Sequence, residues 1–343
     1  LIELLLPGDS LGLTGIAFSL AVLVIAAPFY ISHWFIAERG ALRDEDEATA
    51  NVRQLYFFFV LTWLLGVLLA LFYYFFYDLS ELILQPTRQS WQTSATWTEV
   101  VELLIGILIL TPLFVYHAIT LRRDNTHHSE TEFAAGLRRL FTFGYAAIGL
   151  YIFTVFLYNV IVYLGLAFRN EASELARITT AEIPRLLVSL PLWLTLWIWA
   201  EYHFGANHSG EQDSTLRKLY LYLSVFISVL IVVTNVVGLM AGWLAGLLNA
   251  PLRGNLLYVF ASVIPPGLIW LYHAIVLRLD GRTAPATNRQ ITIQQLYRYQ
   301  VAAIGFGAVL TGIGGLISIL IELTFGSQIS MGIATRQSLA WFT

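Results

Sequence analysis

Leu219–Leu252 reads LYLYLSVFISVLIVVTNVVGLMAGWLAGLLNAPL, a run without one Asp, Glu, Lys or Arg. A bilayer hydrocarbon core about 30 Å thick is crossed by about 20 apolar residues, because a helix satisfies its own backbone and rises 1.5 Å per residue. This run alone meets that requirement. Leu55–Tyr77, Leu103–Leu121, Leu186–Ala200 and Leu256–Leu277 are equally free of charge. With three further apolar runs, the chain offers spans near 12–37, 55–77, 99–121, 137–166, 183–203, 217–248, 255–277 and 295–323. The expected fold is an all-α integral membrane protein of about eight transmembrane helices.

Composition agrees. Of 343 residues, 57% are hydrophobic and 12% charged, where an ordinary soluble domain has about 45–50% and about 25%. The connections are too short for a separate soluble domain, which needs roughly 50 residues. Cysteine is absent, so disulfides, thiolate metal sites, Fe–S ligation and thiol catalysis are excluded. The chain opens at Leu1 without methionine and closes on the apolar Ser338–Thr343, so it reads as a fragment whose first run is a retained span.

Arginines sort by side. If the connections after the first, third, fifth and seventh runs share one side, that side holds thirteen of the nineteen basic residues, from Arg39, Arg43 and Arg53 to Arg289 and Arg298. Basic flanks resist translocation, so this side is expected to be cytoplasmic and the N-terminus external.

The even-numbered runs start alike, with a repeated Leu at 55, 140, 219 and 296, usually behind a basic pair or single Arg and ahead of aromatics. Odd-numbered runs end alike, at His33-Trp34, Tyr116-His117, Tyr202-His203 and Tyr272-His273. Self-similarity at a fixed period marks a duplicated unit, here a helix pair of about 80 residues. The expected organisation is a half module over 1–50, two-helix modules over 51–135, 136–214 and 215–293, and a partial module over 294–343. The segments Arg217-Lys218-Leu219-Tyr220-Leu221-Tyr222 and Trp270 to Arg278 make the chain resemble an uncharacterised family of bacterial multi-pass membrane proteins, a domain of unknown function (DUF5671). The resemblance implies tandem copies, a bacterial inner-membrane location and no assigned catalytic residue or ligand.

Candidate site residues are few. His33, His117, His203 and His273 end four spans, where imidazole could hold a haem iron or the magnesium of a chlorophyll-type pigment. The competing reading is an interfacial belt of His, Tyr and Trp with polar tips in water. His127 and His128 lie among acids in a solvated loop reading that begins at Asp124. Asn159 and Asn235 are polar groups inside apolar runs, expected to hydrogen-bond between helices, and Gly238, Gly242 and Gly246 form a small-residue ladder for close helix approach. Pro28, Pro112, Pro191, Pro265 and Pro266 are expected to kink their helices. The acids Glu99, Glu102, Glu182, Glu201 and Glu322 flank the runs and are expected to be solvated by water and headgroups.

No phosphate loop, zinc motif or nucleophile elbow occurs. The expected function is a non-enzymatic membrane scaffold or accessory subunit with no catalytic residue and no metal. Its partners would be the lipid bilayer and other membrane subunits, not nucleic acid. One alternative is a haem- or chlorophyll-binding subunit; another is a carrier for an apolar or lipid-like substrate. Without either pigment, no cofactor is expected.

Overall fold

The computed structural model describes residues 13–84, 96–127, 130–168, 173–206, 208–247, 256–284 and 286–325. Their elements are α1 (Leu13–Ala41), α2 (Glu45–Ala48), α3 (Asn51–Leu84), α4 (Trp97–His127), α5 (Glu132–Ala167) and α6 (Ser173–Arg177). A π-helical turn (Ile178–Glu182) then leads into α7 (Ile183–Gly205), and a 3-10 turn (His208–Asp213) leads into α8 (Thr215–Leu247), α9 (Leu256–Thr283) and α10 (Asn288–Phe325). Among the described residues, eight helical stretches are long and apolar enough to cross a membrane, and no strand occurs. This is a multi-pass helical membrane protein. His128, Trp91 and the run from 338 to 343 lie outside the described residues, as do the side chains of His127 and Glu322.

Helix starts follow local chemistry. At α4, Thr96 Oγ1 accepts from the Glu99 amide at 3.2 Å while the Glu99 carboxylate accepts from the Thr96 amide at 2.6 Å, which satisfies two orphan donors at once. Glu99 is therefore a capping group. Thr287 and Gln290 repeat the arrangement at α10, and Ser214 Oγ accepts from the Arg217 amide at α8. The five prolines expected to kink their helices all lie inside them: Pro28 in α1, Pro112 in α4, Pro191 in α7, Pro265 and Pro266 in α9.

The chain divides into two compact units, Leu1–Phe141 and Thr142–Thr343, with the boundary inside α5. In the first, α3 packs along α4. Its interior has two layers: Phe57, Phe58, Leu61 and Leu121 at one end, and Leu71, Leu103 and Ile107 at the other. In the second, α8 packs along α9, and α10 runs beside α8. There Phe143, Ala146 and Leu150 of α5 meet Trp197 and Ala200 of α7, Tyr220 and Leu221 of α8 and Val276 of α9.

Gly149 sets the approach of α5 to α7, since a Cβ on it would lie 3.0 Å from the backbone nitrogen of Trp193 and 3.2 Å from the Ser189 carbonyl. Backbone cannot step aside. Gly144, five residues earlier on the same helix and exposed, has nothing within 4 Å of the same position. Gly149→Leu is expected to lower stability by about 1–3 kcal/mol through overpacking, whereas Gly144→Ala is expected to gain up to about 1 kcal/mol of helix propensity. Thermal unfolding of the two variants in one detergent checks the difference in sign.

Candidate functional site

Arg217 stands third in α8, behind its Ser214 cap, and is 1% exposed. A buried guanidinium must find partners for both its charge and its N–H groups. Asp280, near the end of α9, takes two parallel bonds from Nε and Nη2, each 2.9 Å. Glu201, near the end of α7, takes a further bond from Nη2 at 2.8 Å, and Lys218 reaches the same Asp280 at 3.2 Å. Nη1 has no hydrogen-bond acceptor. The guanidinium lies 4.0 Å from the ring centre of Phe204 and 5.3 Å from that of Trp197, so aromatic faces supply the remaining electrostatic contact.

One turn deeper, the rings make their own network. Trp197 Nε1 donates to the Tyr272 hydroxyl at 2.6 Å, and Trp193 Nε1 to the Tyr220 hydroxyl at 3.3 Å. His273, 0% exposed, has Nδ1 at 2.8 Å from the Ile269 carbonyl, so in the neutral ring Nδ1 carries the proton and Nε2 accepts from Tyr220 at 3.4 Å.

The first unit builds the same cluster from the ends of α1, α3 and α4. Arg53 is third in α3 and donates to Asp124 on α4 and to Glu38 on α1, both also reached by Arg123. Trp34 Nε1 donates to the Tyr116 hydroxyl at 2.8 Å, and His117 pairs Nδ1 with the Leu113 carbonyl at 2.7 Å. Its Nε2 accepts from Tyr30 of α1 at 3.1 Å, where the second unit uses Tyr220 of α8. Residue for residue, Trp34-x3-Glu38, Arg53-x2-Tyr56 and Tyr116-His117-x6-Asp124 correspond to Trp197-x3-Glu201, Arg217-x2-Tyr220 and Tyr272-His273-x6-Asp280. Each cluster holds two basic and two acidic side chains.

Several expectations need correction. Asp124 belongs to α4 and is buried, not part of a solvated acidic loop, because Arg53 and Arg123 neutralise it. Glu182 is 1% exposed and does not depend on headgroups for solvation, whereas Glu201 stays 40% exposed while it pairs with Arg217. Glu182 ends the π turn, accepts from Asn159 Nδ2 at 3.0 Å and pairs with Arg185. Of the four span-ending histidines, only His117 and His273 occupy equivalent places. His33 is exposed, holds the Phe29 carbonyl of its own helix at 2.7 Å and stacks on the Phe29 ring. His203 lies against Trp199 and Tyr202, beyond the cluster that Trp197 enters. Nothing brings the four together within either unit, and among the described residues no group of three His, Asp or Glu side chains is arranged to hold a metal.

Asn235 on α8 accepts from Ser262 on α9 at 2.8 Å while returning its amide to the Ile231 carbonyl. Along the glycine ladder of α8, Gly238 and Gly242 are half-buried and Gly246 is exposed; the buried small residues are Ala241 and Ala245, each one position ahead of a glycine.

Above the second cluster, α5, α8 and α9 leave a groove of about 350 Å³. Tyr220 forms its floor, Leu150 and Thr154 one wall, Ser228 the opposite wall and Pro266 the third. No charged residue lines it. In the first unit a separate hollow of about 430 Å³ lies beside Arg53, between Tyr30, Trp34, Glu47 and Tyr56.

Residues 139–269 match the family model of a domain of unknown function, DUF5671. The DUF5671 stretch carries Trp197, Glu201 and Arg217 and ends at Ile269, the carbonyl partner of His273. Nothing among curated proteins or solved structures matches the chain. The pairing signal that could have exposed the clusters was present: His-x6-Asp puts both side chains on one helix face two turns apart, and it occurs once in each unit.

Removing one member of a buried ion pair leaves the other uncompensated, at a cost of about 3–5 kcal/mol. Asp280→Ala is expected to destabilise by that amount, since Lys218 loses this partner and the buried Arg217 keeps only the half-exposed Glu201. Glu201→Gln, whose side chain is 40% exposed, is expected to cost much less, about 1 kcal/mol or below. Melting temperatures of the two variants side by side check the ranking.

Proposed function

We propose that the chain is a multi-pass scaffold or accessory subunit of a bacterial inner-membrane assembly, with its two charge clusters on the cytoplasmic side and its partners bound within the bilayer. The observation that carries this reading is the bare face of α10. A helix-interior glycine costs about 1 kcal/mol relative to alanine, yet Gly305, Gly307 and Gly314 have no atom within 4 Å of where a Cβ would stand. Ala303, Gly307, Thr311 and Gly315 recur every four residues on this helix. In lipid such stripes act by letting another backbone come close. Among the described residues, nothing occupies that space at Gly307 of the stripe.

Closed charge supports the same role. Each cluster balances two cations with two anions and joins three helix ends, which suits bracing better than moving ions. The pairwise likeness of the clusters, with Trp34 and Trp197 163 residues apart and His117 and His273 156 apart, supports duplication of a four-helix unit rather than of a helix pair. A haem or chlorophyll held by His33, His117, His203 or His273 is disfavoured, because the Nε2 lone pairs of His117 and His273 already accept tyrosine hydroxyls.

The test is purification of the chain from its native membranes in mild detergent. A stoichiometric membrane partner is expected, lost on Gly307→Leu and kept on the neighbouring Phe306→Leu, with equal melting temperatures for both variants and no Soret or red pigment band. Elution of the wild-type chain alone overturns the reading.

A further inference from the structure

We propose that the groove between α5, α8 and α9 is a binding site for a neutral lipid that carries a hydrogen-bond-accepting oxygen, such as the carbonyl of a quinone or of an acylglycerol. Three observations meet there. The groove is shaped like a chain: along α8 it runs from Tyr220 to Ile231, about 16 Å at 1.5 Å per residue. Its volume of about 350 Å³ falls at the lower end of the range of small-molecule sites, about 300–1,000 Å³. Its lining is apolar and aromatic without one ionisable acid or base, so a charged headgroup finds no partner inside.

Ser228 gives the second observation. It is 5% exposed, lines the groove, and has no hydrogen-bond partner among the described residues. The other aliphatic hydroxyls in helices around it are engaged: Thr154 donates to the Leu150 carbonyl at 2.6 Å and Ser262 to Asn235 at 2.8 Å. Its hydroxyl is therefore open to the groove, where an acceptor oxygen of a bound molecule accepts its hydrogen bond.

Depth decides the class. Ser228 stands near the middle of the span Thr215–Leu247, where phospholipid headgroups do not reach and uncharged polar groups do. The rings of Tyr158 and Tyr220 flank the same space, which suits a planar carbonyl-bearing group beside an apolar tail. This site belongs to one unit alone and does not depend on the partner-binding role of α10.

Equilibrium binding to the full chain in phosphatidylcholine nanodiscs tests the proposal, with three radiolabelled probes: a benzoquinone bearing a ten-carbon tail, dioleoylglycerol and hexadecane. Saturable binding of the quinone or the glycerolipid is expected, with hexadecane at least tenfold weaker; which oxygenated probe binds identifies the source of the carbonyl. Ser228→Ala is expected to weaken that binding about five- to tenfold, the worth of one hydrogen bond. Leu223→Trp, at the half-exposed rim, is expected to block it while leaving the melting temperature unchanged. Equal affinity for hexadecane, no saturable binding of either oxygenated probe, or wild-type affinity in Ser228→Ala overturns the assignment.

Discussion

A guanidinium withdrawn from water at the edge of an apolar bundle constrains everything around it. Arg217 has almost no exposed surface, and two carboxylates from two other helices close on it. That requirement draws the end of α7, the start of α8 and the end of α9 to one point. Trp197, Phe204 and Tyr220 then cover the charge, and their own polar atoms need partners, which Tyr272 and His273 supply. Arg53 imposes the same geometry on α1, α3 and α4 through Glu38 and Asp124. The clusters are therefore organising devices, and the apolar packing beyond them inherits its register from them.

Neutrality follows from the same constraint and shapes what the protein can do. A cluster with two charges of each sign gains little from taking up another ion and loses much by releasing one. Another buried acid behaves likewise: the π turn from Ile178 to Glu182 inserts an extra residue before α7 and turns Glu182 inward onto Asn159 and Arg185. With these clustered charges engaged, the bundle beyond them is left to interact through apolar surface. Two such surfaces differ in kind. The groove beside Ser228 is narrow and concave, suited to one lipid-like molecule, whereas the small-residue side of α10 is open and straight, suited to another helix.

Much of the architecture was legible in the chain because lipid makes a simple demand. Runs such as Leu219–Leu252 carry no charge over the thickness of a bilayer, and the described part of that run, to Leu247, lies in one helix. The aligned starts of the even-numbered runs placed Arg53 and Arg217 at equivalent positions, which the two clusters reproduce. His203 lies twelve residues after Pro191, against five for His33 and His117 after Pro28 and Pro112, and Trp197 is the residue equivalent to Trp34. Glu182 read as solvated because a one-dimensional pattern sees only its neighbours, and its partner Asn159 lies 23 residues away.

What the chain by itself determined was location and secondary structure: where the helices are, that lipid surrounds them, and which ends carry charge. Those properties depend on local composition, since each span satisfies its own backbone. Only the tertiary structure decided which charges neutralise one another, that His117 and His273 face tyrosines, that Asn159 serves Glu182, and that Ser228 opens onto a groove. Those outcomes depend on which helix faces meet, and burial of an unpaired polar group is penalised only once the neighbouring helices have excluded its alternatives.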